Sequence, residues 1–385
     1  MSRKTSIAIA VLLLVSIGVA VFFFFGSPGS PSDQPRFGNL PIIGGRAPLP
    51  LPLPPPPANG IRPEEVGARL RQIIDKNILA PTLSGDQKSI YFVDRATGHL
   101  MASDLDGNTE TALANLTVLE AFEGFWSPLK TKIALFYHES GMVKKFIEEV
   151  ATGTPSRFLS SDVQAFAWSP DGKSMVYLLR QNAQMNLVIA DQLNRSSRVV
   201  FSTPVPDFTL RWISTNTILL VSKPSGLAPS LLMRFDVAAR RADPILAGGR
   251  GVITLPLPDG SGFVFSQSSE RGEAQPLMLY TFKDAKITPL NIVTLAEKCA
   301  SAPDSKNIYC GVPTGTIRIP SPDEWYRGAV SFSDSIATID LSAGSTRVLL
   351  ENGPDLDVVS PFTSADERFL FFQDKKTGAL WRLTL

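Results

Sequence analysis

Few residues in this chain have the side chains that enzymes and metal sites use most often. The sequence has two cysteines and two histidines, whereas a zinc site takes three or four such ligands. His99 follows a turn glycine and His138 precedes Glu139 at the end of an apolar run, so we interpret both as surface residues. The chain has neither a G-x-S-x-G nucleophile motif with a later histidine nor a phosphate-binding glycine loop. We therefore predict no metal, no cofactor and no catalytic residue, and a protein that is not an enzyme.

One cluster of residues is of the types that bind other molecules. Asp323, Glu324, Trp325, Tyr326 and Arg327 follow one another in the segment 313–334. Trp, Tyr and Arg are enriched at the energetic centres of protein interfaces. We predict an interaction site here, and the alternative is that the two aromatic residues fold back as a local plug.

The charge balance excludes one class of partner. The chain has 37 basic and 36 acidic residues, so no strong field would gather a polyanion around it. Apolar residues make up 44% of the sequence, which is enough for a large core. We therefore predict no nucleic-acid partner.

The first part of the chain has the pattern of a membrane anchor. Residues 7–25 carry no charge and are long enough to span a bilayer, and Arg3 and Lys4 precede them. The alternative of a cleaved export signal is disfavoured because the run ends in phenylalanines and not in a small-x-small site. Since basic residues stay on the cytoplasmic side, we predict a single-pass cell-membrane protein with a cytoplasmic N-terminus. The rest of the chain is then extracytoplasmic.

The segment after the anchor is rich in proline and glycine. Residues 48–57 read PLPLPLPPPP, which favours a stiff polyproline II spacer. We predict three regions: a cytoplasmic tail and anchor at residues 1–26, a linker at 27–61 and a folded domain at 62–385.

The folded domain repeats one β-hairpin. The clearest copy is FAWSPDGKSMVYLL at residues 166–179, with its turn at Pro170, Asp171 and Gly172. The equivalent turn positions lie about 42–45 residues apart, except for a longer last step. These positions are Gly85, Pro128, Pro170, Ser214, Pro258, Pro303 and Ala365.

Units of this size with four short strands are typical of propeller blades. We predict an all-β protein, a seven-bladed β-propeller of four-stranded antiparallel blades. The segment 313–334 makes the last repeat step longer and is inserted between the second and third strands of the sixth blade. The last blade lacks one strand, and residues 69–74 could supply it from the other end of the domain, although a short helix from Pro63 is the alternative. A β-sandwich of unrelated hairpins would not require a fixed period.

The element Trp-Ser-Pro-Asp-Gly-Lys at residues 168–173 carries a family resemblance. It resembles the WD40-like (PD40) repeats of TolB-type propellers and of the propeller domains of prolyl-oligopeptidase-family peptidases. The resemblance covers residues 69–385 and implies a fold and not an activity.

Alignment of the repeats predicts a disulfide. Cys299 and Cys310 align with Phe166 and Tyr177, which face each other across the hairpin. Cross-strand partners are close enough for a bridge, and the predicted exterior is oxidising. Two buried thiols are the alternative.

These observations lead to one main function and two alternatives. The main one is a non-catalytic, membrane-tethered interaction scaffold for a protein or an envelope polymer, with the membrane bound through residues 7–25. The first alternative is an enzyme or small-molecule receptor that uses the axial funnel of the propeller, which charged residues converging at the inner strand ends would favour. The second is a sensor that signals through its short cytoplasmic tail.

Overall fold

The computed structural model describes residues 69–150, 155–315, 317, 320–351 and 353–385. The predicted anchor and linker lie outside these residues, so their structure stays a prediction. In the described part of the chain, no helix has both the length and the apolar character needed to cross a bilayer.

The described residues form strands almost throughout. The two exceptions are a single 3-10 turn at Ala296–Lys298 and one short helix, α1, at Asp323–Tyr326. The strands are β1 (Leu70–Ile74), β2 (Ile78–Leu83), β3 (Ser89–Asp94), β4 (His99–Asp104), β5 (Glu110–Thr117), β6 (Ala121–Trp126), β7 (Lys132–Glu139), β8 (Met142–Glu149), β9 (Pro155–Leu159), β10 (Val163–Trp168), β11 (Ser174–Gln181), β12 (Gln184–Asp191), β13 (Ser197–Thr203), β14 (Phe208–Ser214), β15 (Thr217–Ser222), β16 (Pro229–Asp236), β17 (Arg241–Pro256), β18 (Gly262–Ser268), β19 (Met278–Thr281), β20 (Lys286–Pro289), β21 (Cys299–Ser301), β22 (Asn307–Pro313), β23 (Asp334–Asp340), β24 (Thr346–Leu350), β25 (Val358–Thr363), β26 (Phe369–Asp374) and β27 (Leu380–Thr384).

The strands pair into antiparallel sheets of the predicted kind. Five sheets have four strands each: β2–β5, β6–β9, β10–β13, β21–β24 and β25–β27 with β1. The sixth has seven strands, β14–β20, because the long strand β17 pairs with β16 through its first half and with β18 through its second half. The prediction of an all-β fold of four-stranded antiparallel sheets is confirmed.

The repeated hairpin turn sets the pairing of the strands that it joins. In the third sheet, Ser169 N–H donates to the Ser174 carbonyl at 2.9 Å, and Gly172 N–H donates to the Ser169 carbonyl at 2.8 Å. Gly172 has a φ of +69°, a left-handed conformation that glycine adopts without a steric penalty. The Asp171 carboxylate accepts a hydrogen bond from Ser169 Oγ at 2.7 Å. The Ser-Pro-Asp-Gly pattern therefore fixes the turn and the register of β10 and β11.

The sheets are arranged in a closed ring. The contacts between sheets follow chain order: β2 contacts β6, β6 contacts β10, and β10 contacts β14. The seven-stranded sheet joins β14 to β17, after which β17 contacts β21, β21 contacts β25, and β25 contacts β2. Strand β1 pairs with β27, with Leu70 opposite Leu383, which confirms the prediction that residues 69–74 complete the last sheet. Closure removes the exposed edge that β27 would otherwise present.

The apolar core lies between neighbouring sheets. Phe136 of the second sheet packs in one cluster with Phe166 and Tyr177 of the third. The innermost strands surround an axial cavity, and the candidate site lies at this cavity.

Candidate functional site

The innermost strands enclose an axial cavity of ≈ 640 Å³. Residues of β2, β6, β10, β14, β17 and β25 line it, so it lies on the axis of the ring. Most of the lining side chains are aromatic residues or prolines: Phe125, Trp126, Phe166, Trp168, Trp212, Phe362, Pro81, Pro128, Pro170, Pro256, Pro258 and Pro361. A concave, mainly apolar cavity with a few polar groups is typical of small-molecule sites.

Two tryptophans in this wall are held by the preceding sheet. The indole N–H of Trp126 donates to the Ala80 carbonyl, and that of Trp168 donates to the Phe125 carbonyl, both at 2.8 Å. Trp212 is the equivalent residue of β14, and its buried indole N–H has no partner in the structure. The first two rings are therefore fixed parts of the wall.

Two cations lie in the cavity wall, one on an inner strand and one in a hairpin turn. Arg211 belongs to β14, and Lys130 belongs to the turn that follows β6. None of the described residues that line the cavity is acidic. The cavity is therefore positive as well as apolar.

A second group of polar side chains meets Arg211 at the other end of the inner strands. The hydroxyl of Tyr326 donates to Glu297 Oε2 at 2.8 Å, and Arg211 interacts electrostatically with Glu123, Glu297 and Tyr326. We call these four residues the mouth cluster. Glu123 comes from β6, Arg211 from β14, Glu297 from the turn before β21 and Tyr326 from α1. They converge on the axis from four separate parts of the chain.

The mouth cluster has displaced pKa values. Burial raises the pKa of Glu123, although water reaches its side chain from the channel, and the positive charge of Arg211 offsets part of this effect. Burial also raises the pKa of Glu297, which the hydrogen bond from Tyr326 partly opposes. The surrounding protein and the neighbouring Glu297 charge hold the pKa of Tyr326 well above its usual value, although part of the side chain is exposed, so Tyr326 stays a neutral hydrogen-bond donor. Shifted carboxyl groups that share a channel with a fixed cation are typical of functional sites.

The loop between β22 and β23 brings Tyr326 to the axis. Since β21 runs towards the hairpin turn and β22 runs back, this loop lies at the end of the ring opposite the turns. We call its residues 320–333 the strap. The Asp323 carboxylate accepts hydrogen bonds from Ser225 Oγ at 2.8 Å and Gly226 N–H at 2.6 Å, which ties the strap to the loop after β15. Ser321 N–H donates to the Gly272 carbonyl at 2.8 Å, which ties it to the loop after β18.

A buried ionic cluster holds the other side of the strap. Lys298 Nζ is fully buried and lies 2.7 Å from the Asp334 carboxylate, and it also bonds the Asp357 carboxylate. The indole N–H of Trp325 donates to Asp357 Oδ2 at 2.9 Å, and Lys298 lies 5.1 Å from the centre of the Trp325 ring. Burial raises the pKa of Asp334 to about 6 despite the lysine. The strap is thus fastened to the sixth sheet and to the start of β25.

The structure separates the five predicted interaction residues. Trp325 is 3% exposed and contacts the ionic cluster, while Asp323 is bonded to the neighbouring loop. Glu324 and Arg327 form a surface ion pair with each other. Tyr326 is 37% exposed and belongs to the mouth cluster. All five therefore make contacts within the molecule, and Tyr326 is the one that belongs to the mouth cluster.

The predicted disulfide pair lies at the start of the sixth sheet. Cys299 is opposite Cys310 in the β21–β22 pairing, as Phe166 is opposite Tyr177 in the third sheet, and the two Sγ atoms are 2.08 Å apart. This bridge joins the innermost strand, directly after Glu297 and Lys298, to the strand that leads into the strap.

The mouth cluster could not be found from the sequence by motif. Glu123 and Arg211 are about 88 residues apart and stand at different positions within their repeats, so their meeting depends on ring closure. The signal that was available is Arg211, a charged residue whose equivalents in most other repeats are apolar, such as Phe125, Ala167 and Leu255. Among the described residues, no group of three or more His, Cys, Asp or Glu side chains is placed to hold a metal ion.

Comparisons with known proteins agree with this fold. No protein-family model and no curated protein matches the sequence. An oligogalacturonate lyase solved in complex with manganese is similar over 81% of this chain and 90% of its own, with a TM-score of 0.59 and 15% identity. The oligogalacturonate lyase of Vibrio parahaemolyticus has the same coverage, a TM-score of 0.57 and 14% identity. TolB of Acinetobacter baumannii matches 84% of this chain and 66% of its own at 15% identity, but its TM-score of 0.39 is too low to argue from.

These likenesses establish the propeller fold and correct one prediction. The prediction that the chain is not an enzyme is wrong as an inference from missing motifs, because solved enzymes, the oligogalacturonate lyases, share the fold. In a ring of this kind, residues from several sheets meet at the axis without forming a linear motif. The absence of such motifs therefore does not exclude catalysis.

Proposed function

We propose that the axial channel is a small-molecule site, in an enzyme or a receptor, with the mouth cluster as its polar centre. The observation that carries the proposal is an axial cavity of ≈ 640 Å³ lined by Arg211, which also interacts with Glu123, Glu297 and Tyr326 of the mouth cluster. A cavity of this volume accommodates a molecule of metabolite size. We prefer this alternative to the interaction scaffold because solved enzymes, the oligogalacturonate lyases, share the fold.

The mouth cluster has the groups needed for proton transfer. Two carboxyl groups with raised pKa values exchange protons closer to neutral pH than ordinary carboxyl groups do, which suits general acid and base roles. Tyr326 supplies a neutral O–H donor, and Arg211 supplies a fixed positive charge beside both acids. We propose that Arg211 orients the ligand and that Glu123 or Glu297 accepts or donates a proton on it.

We also propose the finer features of architecture and location. Counting the two halves of β17 as separate strands gives seven four-stranded blades, which supports the predicted blade number. The uncharged residues 7–25 support a single membrane anchor with the propeller outside the cytoplasm. A protein or envelope-polymer partner remains a prediction from the tethered position of the domain.

The proposal is tested by ligand screening of the full-length protein in detergent. Polar metabolites would be ranked by saturation-transfer NMR, and each binder would be measured against Arg211→Met and against Arg198→Met, a matched loss of charge on the exposed β13. We expect Arg211→Met to weaken binding by at least about tenfold and Arg198→Met to leave it unchanged. Equal affinity in both variants would place the ligand outside the channel and contradict the proposal.

The proton-transfer role has its own measurement. Because the pKa of Glu297 is raised, we expect ligand affinity to change with pH above the usual carboxyl range, and Glu297→Gln to remove that part of the pH profile. Glu324→Gln on the outer side of the strap is the control. An unchanged pH profile in both variants of this pair would exclude Glu297 from proton exchange with the ligand.

A further inference from the structure

The turn between the first two strands of a sheet has the same backbone in six hairpins. Its fourth residue has a positive φ of 54° to 72° and donates its N–H to the carbonyl of the first residue. The six residues at this position are Gln87, Lys130, Gly172, Gly260, Ser305 and Glu367. Since a positive φ favours glycine, any other residue at this position has a steric cost, and a contact of its side chain can offset that cost.

Three of the four side chains at this position contact the neighbouring hairpin. The bonds are Gln87 Oε1 accepting from Ala365 N–H at 3.1 Å, Ser305 Oγ accepting from Asp259 N–H at 3.0 Å, and Glu367 Oε2 accepting from the Tyr309 hydroxyl at 2.9 Å. Each bond links one sheet to the next around the ring. In these hairpins the side chain therefore has a structural role.

Lys130 is the exception. Its side chain lines the axial cavity, and in the described residues its ammonium group has neither an ion-pair nor a hydrogen-bond partner. Burial alone lowers its pKa, with no carboxylate to oppose the effect. An unpaired ammonium group in such surroundings is unfavourable, and an anion bound beside it would relieve that penalty.

The rest of the cavity narrows the chemistry of the ligand. Arg211 is the second cation, and its only described hydrogen bond goes to the Leu210 carbonyl at 3.2 Å. Trp126 and Trp168, held by their indole hydrogen bonds, line the same cavity as these cations, and Trp126 is the more exposed of the two. Flat rings stack on indole rings, and an acidic group would meet the cations.

We infer that the ligand of the axial channel is a ring-bearing carboxylate and that Lys130 binds its carboxylate at the turn end of the cavity. This inference rests on the proposed function, because it places the ligand in the same channel. It adds the charge of the ligand and a binding residue that the mouth cluster does not contain.

The test compares acids with amides of the same shape on the full-length protein. The probes are benzoate with benzamide, and glucuronate with glucuronamide, so that an aromatic and a pyranose ring are each represented. We expect at least one acid to bind about tenfold more tightly than its amide, and Lys130→Met to remove that difference. Lys130→Arg should keep most of it. Lys173→Met, which removes an exposed lysine from the next hairpin turn, should change nothing.

A second measurement reports on the lysine itself. Reductive methylation with ¹³C gives each lysine an NMR signal whose pH titration yields its pKa. We expect the pKa of Lys130 to rise when the tighter acid binds, and to stay unchanged with its amide. This measurement remains informative if Lys130→Met is poorly folded.

The outcomes separate the inference from the proposed function. If acid and amide bind equally and Lys130→Met is neutral, while Arg211→Met still weakens both, the channel site stands and the carboxylate inference is overturned. If neither acid binds at millimolar concentration, the carboxylate class is wrong. If screening finds no compound that depends on Arg211, the channel proposal itself fails.

Discussion

Lys298 and Lys130 are two lysines from opposite ends of the inner strands, and their surroundings differ in charge. Lys298, on the strap side, is fully buried with two carboxylates and lies beside the Trp325 ring. Lys130, on the turn side, faces a cavity lined by aromatic residues and prolines with no carboxylate among them. Lys298 is therefore neutralised by carboxylates of the protein, whereas the positive charge of Lys130 is left to interact with a ligand.

The same comparison distinguishes structural from functional charge. A buried charge with complete partners fixes the position of a segment, as the ionic cluster fixes the strap. A charge that is surrounded by protein but lacks a partner keeps a displaced pKa and is available to a ligand. Substitution of Lys298 should therefore lower the stability of the fold. Substitution of Lys130 should weaken ligand binding and leave the stability nearly unchanged.

The largest effect is expected for Lys298→Met. Removing this ammonium group leaves Asp334 and Asp357 buried without their counter-charge, so the free energy of unfolding should fall by about 3–5 kcal/mol. Urea unfolding followed by tryptophan fluorescence measures it. Lys173→Met, at an exposed turn, is the control and should stay within about 0.5 kcal/mol of the wild type. A loss below about 1 kcal/mol for Lys298→Met would show that the cluster does not hold the strap.

Glu148 in β8 is a buried carboxyl group with no hydrogen-bond partner among the described residues, and it should make stability depend on pH. Burial raises its pKa to about 7 in the folded protein, above its usual 4.5, and both of its oxygens lack hydrogen bonds within the structure. Folding therefore favours the protonated form. The free energy of unfolding should fall by about 3 kcal/mol as the pH rises from 4.5 through 7.

The variant Glu148→Gln isolates this contribution. Its stability should lack that decline, so the difference between variant and wild type should grow with pH over the same window. Glu149→Gln, the neighbouring and more exposed residue, is the control. Parallel stability curves for wild type and Glu148→Gln would contradict the buried, unpaired state of Glu148.

The disulfide should have a smaller effect, because it closes a short loop in a hairpin that the strands already form. Replacing Cys299 and Cys310 together by alanine should lower the free energy of unfolding by at most ~3 kcal/mol. The mouth cluster should still bind its ligand. Two alkylated cysteines in unreduced, unfolded protein isolated from its native cells would instead show that the bridge does not form there.

The smallest effect on stability is expected for Lys130→Met. Because Lys130 has no partner to lose, the free energy of unfolding should not fall by more than about 0.5 kcal/mol. Equilibrium unfolding in urea checks this. A large loss would mean that Lys130 holds the neighbouring hairpin as Gln87 and Glu367 do, and would remove the contrast with Lys298.

The fold was predictable from the sequence because its hairpins are local and repeated. The turn at Ser169 to Ser174 sets the pairing of its own hairpin, so one complete copy identified the others, including the Cys299–Cys310 register. The strand at residues 70–74 was predictable because an incomplete last sheet requires a partner. Short-range hydrogen bonds and edge pairing leave signals that a sequence displays.

The site was not predictable in the same way, because its residues meet only after the ring closes. Glu123 and Glu297 belong to different sheets, and nothing near either residue in the sequence indicates the other. Trp325 was predicted at an interaction surface because of its residue type, and its burial results from partners at Lys298 and Asp357 that lie about 27 and 32 residues away. Contacts between residues far apart in the sequence therefore determine whether a side chain such as Trp325 is buried.

The most direct test of the channel site is a crystal structure of the protein with its tightest-binding compound from the screen. We expect the compound in the axial cavity, with its polar group against Arg211 and its acidic group within hydrogen-bonding distance of Lys130 Nζ. The matched Arg211→Met protein, soaked at the same compound concentration, should show lower occupancy of the compound in the cavity. A compound bound on the outer surface of the ring, with the cavity empty in both proteins, would contradict the account.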